Sequence, residues 1–290
     1  MKSDIKLLEA AWTGDINTIR EQIALGADIH VKCHFGQSDG PLREAVEAGH
    51  TEVVKLLLDC GADIHAKDCM ATDSPLRRAI FNDHLEIVAL LLDRYTNIKA
   101  ANDRALRWAI EYGRWKSLEL LFDRGVTVNE ADNLWVYQAA ENGYAGVVEM
   151  LLDHGADIHG GNDSALFVAA YHGYEETVDL LINYGNFRTK APGLALIAYS
   201  IMGKTKDAQI LIHQGADLHT YDEAALHGAG GNQHSEIIAL LVKHYTTAEL
   251  RAIQSTTEDS SILDAIRMEI QKRMNLAAKK ALRNTPEIEI

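Results

Sequence analysis

The sequence predicts an all-α repeat solenoid: a stack of helix-turn-helix units with short β-hairpin or loop fingers and a C-terminal helical cap. Three observations predict it. Leu76, Leu106, Val136, Leu166, Leu196 and Leu226 stand at one spacing of 30 residues. Each opens a phrase that runs through an apolar segment into Gly-Ala-Asp-Ile-His or a relative of it. A helix-ending glycine recurs eleven residues before the next opening position, as from Gly155 to Leu166. A fixed period of this length marks units that cannot bury their apolar faces alone and must stack on their neighbours.

The elements of one unit follow from Arg104 to Asn133. Ala105-Leu106-Arg107-Trp108-Ala109-Ile110 reads as a short first helix stopped at Gly113. Leu118, Leu120, Leu121 and Phe122 mark a second helix stopped at Gly125. Gly49, Gly143, Gly173 and Gly203 hold the first stop, and Gly26, Gly61, Gly155, Gly185 and Gly215 the second. A left-handed residue ends a helix, and glycine enters that conformation at little steric cost. Ser74-Pro75 offers a capping hydroxyl and a proline at the first helical position, while Asp103, Asn133 and Asp163 are candidate caps elsewhere. Leu120, Leu121, Leu151, Leu152, Leu180 and Leu181 are expected in the core.

Eight units result: 4–38, 39–73, 74–103, 104–133, 134–163, 164–193, 194–223 and 224–245. The array is therefore placed at 1–245 and the cap with a short tail at 246–290. Some positions break the pattern. Asp83 and Gln233 replace the first-stop glycine; Tyr95 and Tyr245 replace the second. A bulky residue held left-handed costs about 1–2 kcal/mol, so the loops after Arg94 and His244 are expected to take another conformation. Gly185-Asn186-Phe187-Arg188 lacks the Ala-Asp-Ile sequence. After Tyr245 the phase is lost. Thr247-Ala248-Glu249-Leu250 reads as a capped helix start, and Ser261 to about Asn284 as one long helix with a stripe of Leu263, Ile266, Ile270, Met274, Ala277 and Ala281. Capping the last repeat is its leading role, with partner binding or dimerisation as the alternative.

The residues that carry these features resemble the ankyrin repeat family. Its phrase Thr-Pro-Leu-His-x-Ala stands here as Ser74-Pro75-Leu76-Arg77-Arg78-Ala79, and more loosely as Ala224-Ala225-Leu226-His227-Gly228-Ala229. Its second-helix phrase stands as Gly49-His50-Thr51-Glu52-Val53-Val54-Lys55-Leu56-Leu57-Leu58 before Gly61-Ala62-Asp63-Ile64-His65. Most units are three residues shorter than is usual in the family, which places a deletion in the finger. Units of this length look like those of giant viruses and of bacteria living inside eukaryotic cells.

Charge narrows the partners. Formal net charge is −14, and from Thr246 onward seven basic residues balance seven acidic ones, so the excess lies in the repeats. Nucleic acid binding gains affinity by neutralising phosphates with Lys and Arg, which excludes it here; a basic protein partner fits. No apolar run approaches the ~18 residues of a membrane span, and Met1-Lys2-Ser3-Asp4 runs straight into a helical pattern without a secretory signal. Three cysteines, Cys33, Cys60 and Cys69, form no disulfide framework. A cytoplasmic monomer is expected.

Catalytic chemistry finds little support. His30, His65, His159 and His219 occupy one repeated position, a repeat apart, beyond the reach of a shared ion. Cys33, His34, His65 and Cys69 sit in neighbouring fingers but without a Cys-x₂-Cys spacing, so neither metal nor cofactor is expected. A thiol- or metal-dependent enzyme there is the alternative from another class. Gly228-Ala229-Gly230-Gly231 lies in a first-helix register and lacks the Lys-Ser/Thr of a phosphate loop; it reads as a loosened or shortened helix.

The resemblance implies binding on the concave side, built from first-helix positions and fingers. Carried onto this chain it selects Arg78, Phe81, Trp108, Glu111, Tyr112, Gln138, Glu141, Tyr171 and His172. Aromatic rings supply contact area at low entropic cost, and acids beside them suit an arginine or lysine of the partner. At least two of the central aromatics are expected to face solvent. The expected function is a non-catalytic protein–protein interaction scaffold. A host-targeting effector of a virus or intracellular bacterium, using the same repeats, is the alternative.

Overall fold

The computed structural model describes residues 2–31, 40–65, 74–95, 98–128, 134–159 and 163–283. Among them are nineteen helices and no strand. In chain order these are α1 (Lys2–Thr13), α2 (Ile16–Ala24), α3 (Pro41–Ala48), α4 (Thr51–Asp59), α5 (Pro75–Phe81), α6 (Leu85–Arg94), α7 (Ile98–Glu111), α8 (Trp115–Asp123), α9 (Trp135–Glu141) and α10 (Ala145–Asp153). There follow α11 (Ser164–His172), α12 (Glu175–Tyr184), α13 (Phe187–Lys190), α14 (Pro192–Ile201), α15 (Thr205–His213), α16 (Ala224–Gly231), α17 (Ser235–Leu241), α18 (Thr247–Thr256) and α19 (Ser260–Arg283). The chain is an all-α repeat protein, organised as two compact units, Met1–Asp157 and Ile158–Ile290.

In the first unit each first helix lies on the next: α1 on α3, α3 on α5, α5 on α7 and α7 on α9. Alanines make this close approach possible, since Ala45, Ala79, Ala109 and Ala139 are fully buried where a larger side chain would hold the helices apart. The second helices form a parallel row, α4, α6, α8 and α10, and bury Val54, Leu57, Val88, Leu91, Leu118, Leu121, Val148 and Leu151. In the second unit α11, α14 and α16 form the first row and α15 packs on α17. Of the leucines expected in the core, Leu121, Leu151, Leu152 and Leu181 are buried, while Leu120 and Leu180 are half-buried on the flank of their helices.

Within each compact unit, a seam of side chains ties repeats to the one before. His84 opens α6 and bonds through Nε2 to the carbonyl of Glu47, 3.2 Å away, while its ring lies over Gly49. Gly49 has φ +81°, and a Cβ there would stand 2.8 Å from that ring. His50 and His234 repeat the contact on Trp12 and Ile201, each at 2.9 Å. At Asp83 the seam residue of the next repeat is Arg114 rather than a ring. Arg114 reaches the Phe81 carbonyl through Nε at 3.1 Å and Nη2 at 2.5 Å. The guanidinium needs no bare Cα beneath it, so Asp83 keeps the left-handed turn at φ +61°. Gln233 does likewise at φ +60°.

The second-stop departures resolve differently. Tyr95 adopts an extended backbone, φ −72° and ψ 129°, as expected of a residue too large for the left-handed turn. Its ring stands edge-on to His65 at 5.0 Å and its hydroxyl donates to the Ile64 carbonyl at 3.4 Å. Tyr245 does the same one finger from the end of the array: edge-on to His219 at 5.4 Å, with its hydroxyl 3.1 Å from the Leu218 carbonyl. Phe187 makes the third such contact, with His159 at 5.6 Å. These three breaks thus each seat an aromatic ring against the preceding finger's histidine.

Several expectations are corrected. Gly185 is right-handed, φ −74°; its lack of a Cβ accommodates the Phe187 ring, which would lie 2.6 Å from one. Asp103 lies inside α7, which begins at Ile98, and so cannot cap it. Asp163 makes no cap bond, because its carboxylate takes the His159 Nδ1 at 2.6 Å. Asn133 lies outside the described residues. Ser74 does cap α5, accepting from the Arg77 amide at 3.3 Å. The glycine-rich α16 is a full helix of eight residues. Gly228 and Gly230 admit neighbours, as Cβ atoms there would come within 2.6 Å of Ile201 and 2.5 Å of Asp259.

The C-terminal elements close the second unit. Thr246 and Glu249 form a reciprocal capping box at the start of α18. Asp259 accepts from the amides of Ser261 and Ile262 at 2.9 and 3.2 Å and so starts α19. These bonds, led by that from the Ser261 hydroxyl, hold the Asp259 carboxyl below its ordinary range. α19 packs on α16, α17 and α18. Its buried residues are Ile262 and Ile266, and the stripe expected to continue through Met274 and Ala277 is exposed instead. Ala281 lies beyond the residues whose side chains are described. Arg273 ties the middle of α19 to the end of α17, donating to the carbonyls of Tyr245 at 2.8 Å, Lys243 at 3.1 Å and Val242 at 3.3 Å.

Candidate interaction surface

Three adjacent first helices of the first unit, α5, α7 and α9, carry seven of the nine selected residues. The register that buries Leu76, Ala79 and Ile80 turns Arg78 and Phe81 to the free side of α5. The same register sets Trp108 and Glu111 on α7, with Tyr112 just past its end, and Gln138 and Glu141 on α9. Phe81, Glu111 and Glu141 are exposed; Arg78, Trp108, Tyr112 and Gln138 are half-buried. Of the central aromatics, Phe81 at 45% and Tyr171 at 71% face solvent most fully.

Phe81 and Tyr112 join two repeats, meeting edge to face at 5.1 Å and 88°. Tyr112 is held by Arg77, whose Nε lies 2.8 Å from the phenol oxygen. Phe81 is held by Arg114 through its carbonyl. The aromatic pair therefore stands on a frame of two arginines that sequence reasoning did not select. Arg77 occupies the histidine place of the Thr-Pro-Leu-His phrase, and Arg114 stands 30 residues beyond His84. Those two offsets were the available signal.

Glu111 and Glu141 hold the Phe81 position one and two repeats further on. Glu141 accepts from the Tyr137 hydroxyl at 3.3 Å, and its charge raises that phenol's pKa. Glu111 forms no ion pair among the described residues. Behind them Trp135 is buried, with the Arg107 guanidinium 5.3 Å from its ring centre. In the second unit, Tyr171 and His172 end α11 as exposed rings 5.5 Å apart, and His172 stacks on Tyr174 at 5.6 Å.

Among the described residues no group of three or more His, Cys, Asp or Glu side chains gathers to hold an ion. Cys33, His34 and Cys69 lie outside those residues, and His65 is engaged by Tyr95. No helix among the described residues is long and apolar enough to cross a membrane.

No curated protein matches the chain. The family profile described as ankyrin repeats (3 copies) matches it over residues 7–102, 42–132, 106–191 and 136–222. Those matches together run from residue 7 to residue 222 and include the seam residues His50, His84 and Arg114: the chain belongs to the ankyrin repeat family.

Proposed function

We propose that this chain is a non-catalytic scaffold that binds a basic protein or peptide on the first-helix face of α5, α7 and α9. Ankyrin repeats are generally protein–protein interaction modules and the family is generally non-catalytic. The observation that carries the reading is the exposed Phe81 ring packed on Tyr112, with the exposed Glu111 and Glu141 at the same place in the next two repeats. An arginine of the partner would lie over the rings and pair with a carboxylate, as cation–π and ion-pair geometry favour. Arg78, Trp108 and Gln138 would supply contact and hydrogen bonds around that centre. Tyr171 and His172 give the second unit an exposed aromatic pair of its own. In this reading residues 1–245 are the binding array, 246–290 close it, and the protein works as a cytoplasmic monomer. An effector delivered into a host cell would use the same face.

The test is affinity purification from the native cell, followed by binding measurements on the recovered partner. Glu111→Lys changes an exposed side chain and should leave the thermal melt in place, while Phe81→Ala also loses the ring contact with Tyr112, about 0.5–1.5 kcal/mol, and should lower it by only a few degrees. A residue at the centre of such an interface contributes on the order of 2 kcal/mol, about a thirtyfold loss of affinity. Unaltered affinity in both variants would show that the partner binds elsewhere.

A further inference from the structure

We propose that the groove between α17 and the exposed side of α19 docks an acidic amphipathic helix of a partner protein. This surface lies in the second unit and is independent of the first-helix face. α19 has 24 residues against seven in α17. At 1.5 Å per residue it is about 36 Å long, far more than is needed to cover one repeat. Its buried anchors, Ile262 and Ile266, lie in its first two turns. Further on, Met268 is 75% exposed and Leu276 58%.

Ala265, Met268, Lys272, Leu276 and Lys279 recur at steps of three and four, so they form one side of the helix. The first part of that side faces Ile238, Ala239 and Val242 across a groove of about 620 Å³. Ile238 and Val242 are themselves buried, so Ala239, Ala265 and Met268 form its accessible apolar wall, with Asp264, Glu269 and the lysines at its edges; an apolar wall with a charged rim suits the stripe of an amphipathic helix.

Charge identifies the occupant. Between Ser260 and Arg283 six basic residues face two acidic ones, in a chain whose net charge is −14. Both acids are engaged on the helix itself: Asp264 with Arg267 at 3.1 Å, Glu269 with Arg273 at 2.9 Å. Lys272 also pairs with Glu269, at 3.6 Å, which leaves Lys243 and Lys279 along the rim of a helix with excess positive charge, so a helix with glutamates or aspartates beside its apolar stripe is complementary. Self-pairing of α19 would oppose two basic surfaces. An anionic membrane would repel the acidic body of the chain, and α19 has no Trp or Phe to anchor it.

The probe is a fluorescein-labelled synthetic 20-residue peptide with leucine at steps of three and four and glutamate between. Its anisotropy is followed against the full-length protein at low salt. Saturable binding is expected, weakened at least tenfold by Met268→Glu combined with Leu276→Glu and at least threefold by Lys243→Glu. The melting curve should not move. Absence of saturable binding, or binding indifferent to these changes, overturns the proposal. A melt lowered by Met268→Glu and Leu276→Glu would assign those side chains to the folded core and also overturn it. Met268-dependent dimerisation in sedimentation, or Met268-dependent flotation with phosphatidylserine vesicles, would assign the groove to another occupant and refute it.

Discussion

Tyr245 stands where most units carry a glycine, so Tyr245→Gly restores the family's residue and, on sequence grounds, relieves a strained turn. The structure reverses that sign. The Tyr245 ring is 2% exposed, packs edge-on to His219 at 5.4 Å, and donates to the Leu218 carbonyl at 3.1 Å. Burial raises its phenol pKa well above the ordinary tyrosine range, so the hydroxyl stays a donor. Tyr245→Phe removes the bond alone, a loss of about 0.5–1.5 kcal/mol. Tyr245→Gly also removes a large buried ring, a loss of about 3–5 kcal/mol for aromatic truncation. At roughly 2–4 °C per kcal/mol for a chain of this size, melting should fall by roughly 10 °C or more in the glycine variant and by a few degrees in Phe. Circular dichroism melts give the shift, and amide exchange in α17 and α18 locates it. A glycine variant as stable as the parent would refute the aromatic contact as a structural tie. Tyr95→Gly should cost less, because Tyr95 is only half-buried and its bond is longer at 3.4 Å.

Other consequences concern single groups. Thr177 is 1% exposed and its hydroxyl finds no partner among the described residues, whereas Val147 and Ile237 hold the same repeat position. Thr177→Val should stabilise by about 1 kcal/mol, seen as a higher urea midpoint. Gly49→Ala should destabilise by at least about 1–2 kcal/mol, because the new Cβ meets the His84 ring. Asp83→Gly, under Arg114, should leave the urea midpoint unchanged or raise it. Glu223, bonded to His219 Nδ1 at 3.0 Å, raises that imidazole's pKa, with help from the charges of Glu249 and Asp217. The fold therefore favours protonated His219. This contribution is complete below the ordinary histidine value of about 6.5 and is lost as pH rises through the raised value. A parent protein whose melting point, relative to His219→Gln, does not fall over that rise would contradict the assignment.

The repeat was legible because periodic leucines, alanines and glycines report packing that every unit shares. Their spacing gives the helix pairs, most of the left-handed stops and a departure from the left-handed turn at Tyr95 without coordinates, though Gly185 is right-handed. What escaped were contacts between residues about one repeat apart. Tyr95 and Tyr245 read as departures, yet their rings answer His65 and His219 on the preceding fingers. Gly228 and Gly230 read as helix weakeners, although close neighbours require them. The α19 stripe was misplaced because a helix that outruns its support shows the same periodicity on faces that nothing covers. On the candidate face, the register put Phe81 and Tyr112 on adjacent first helices. The arginines that hold them, Arg77 and Arg114, sit at places where family members carry histidine, and such a substitution is silent until its partner is seen.

The most direct measurement is amide hydrogen exchange of the protein with and without its purified partner at equal ionic strength. Binding at the proposed face predicts slowed exchange at the C-terminal ends of α5, α7 and α9, weakening as salt screens Glu111 and Glu141. Protection confined to the second helices α6, α8 and α10, or indifferent to salt, would contradict it.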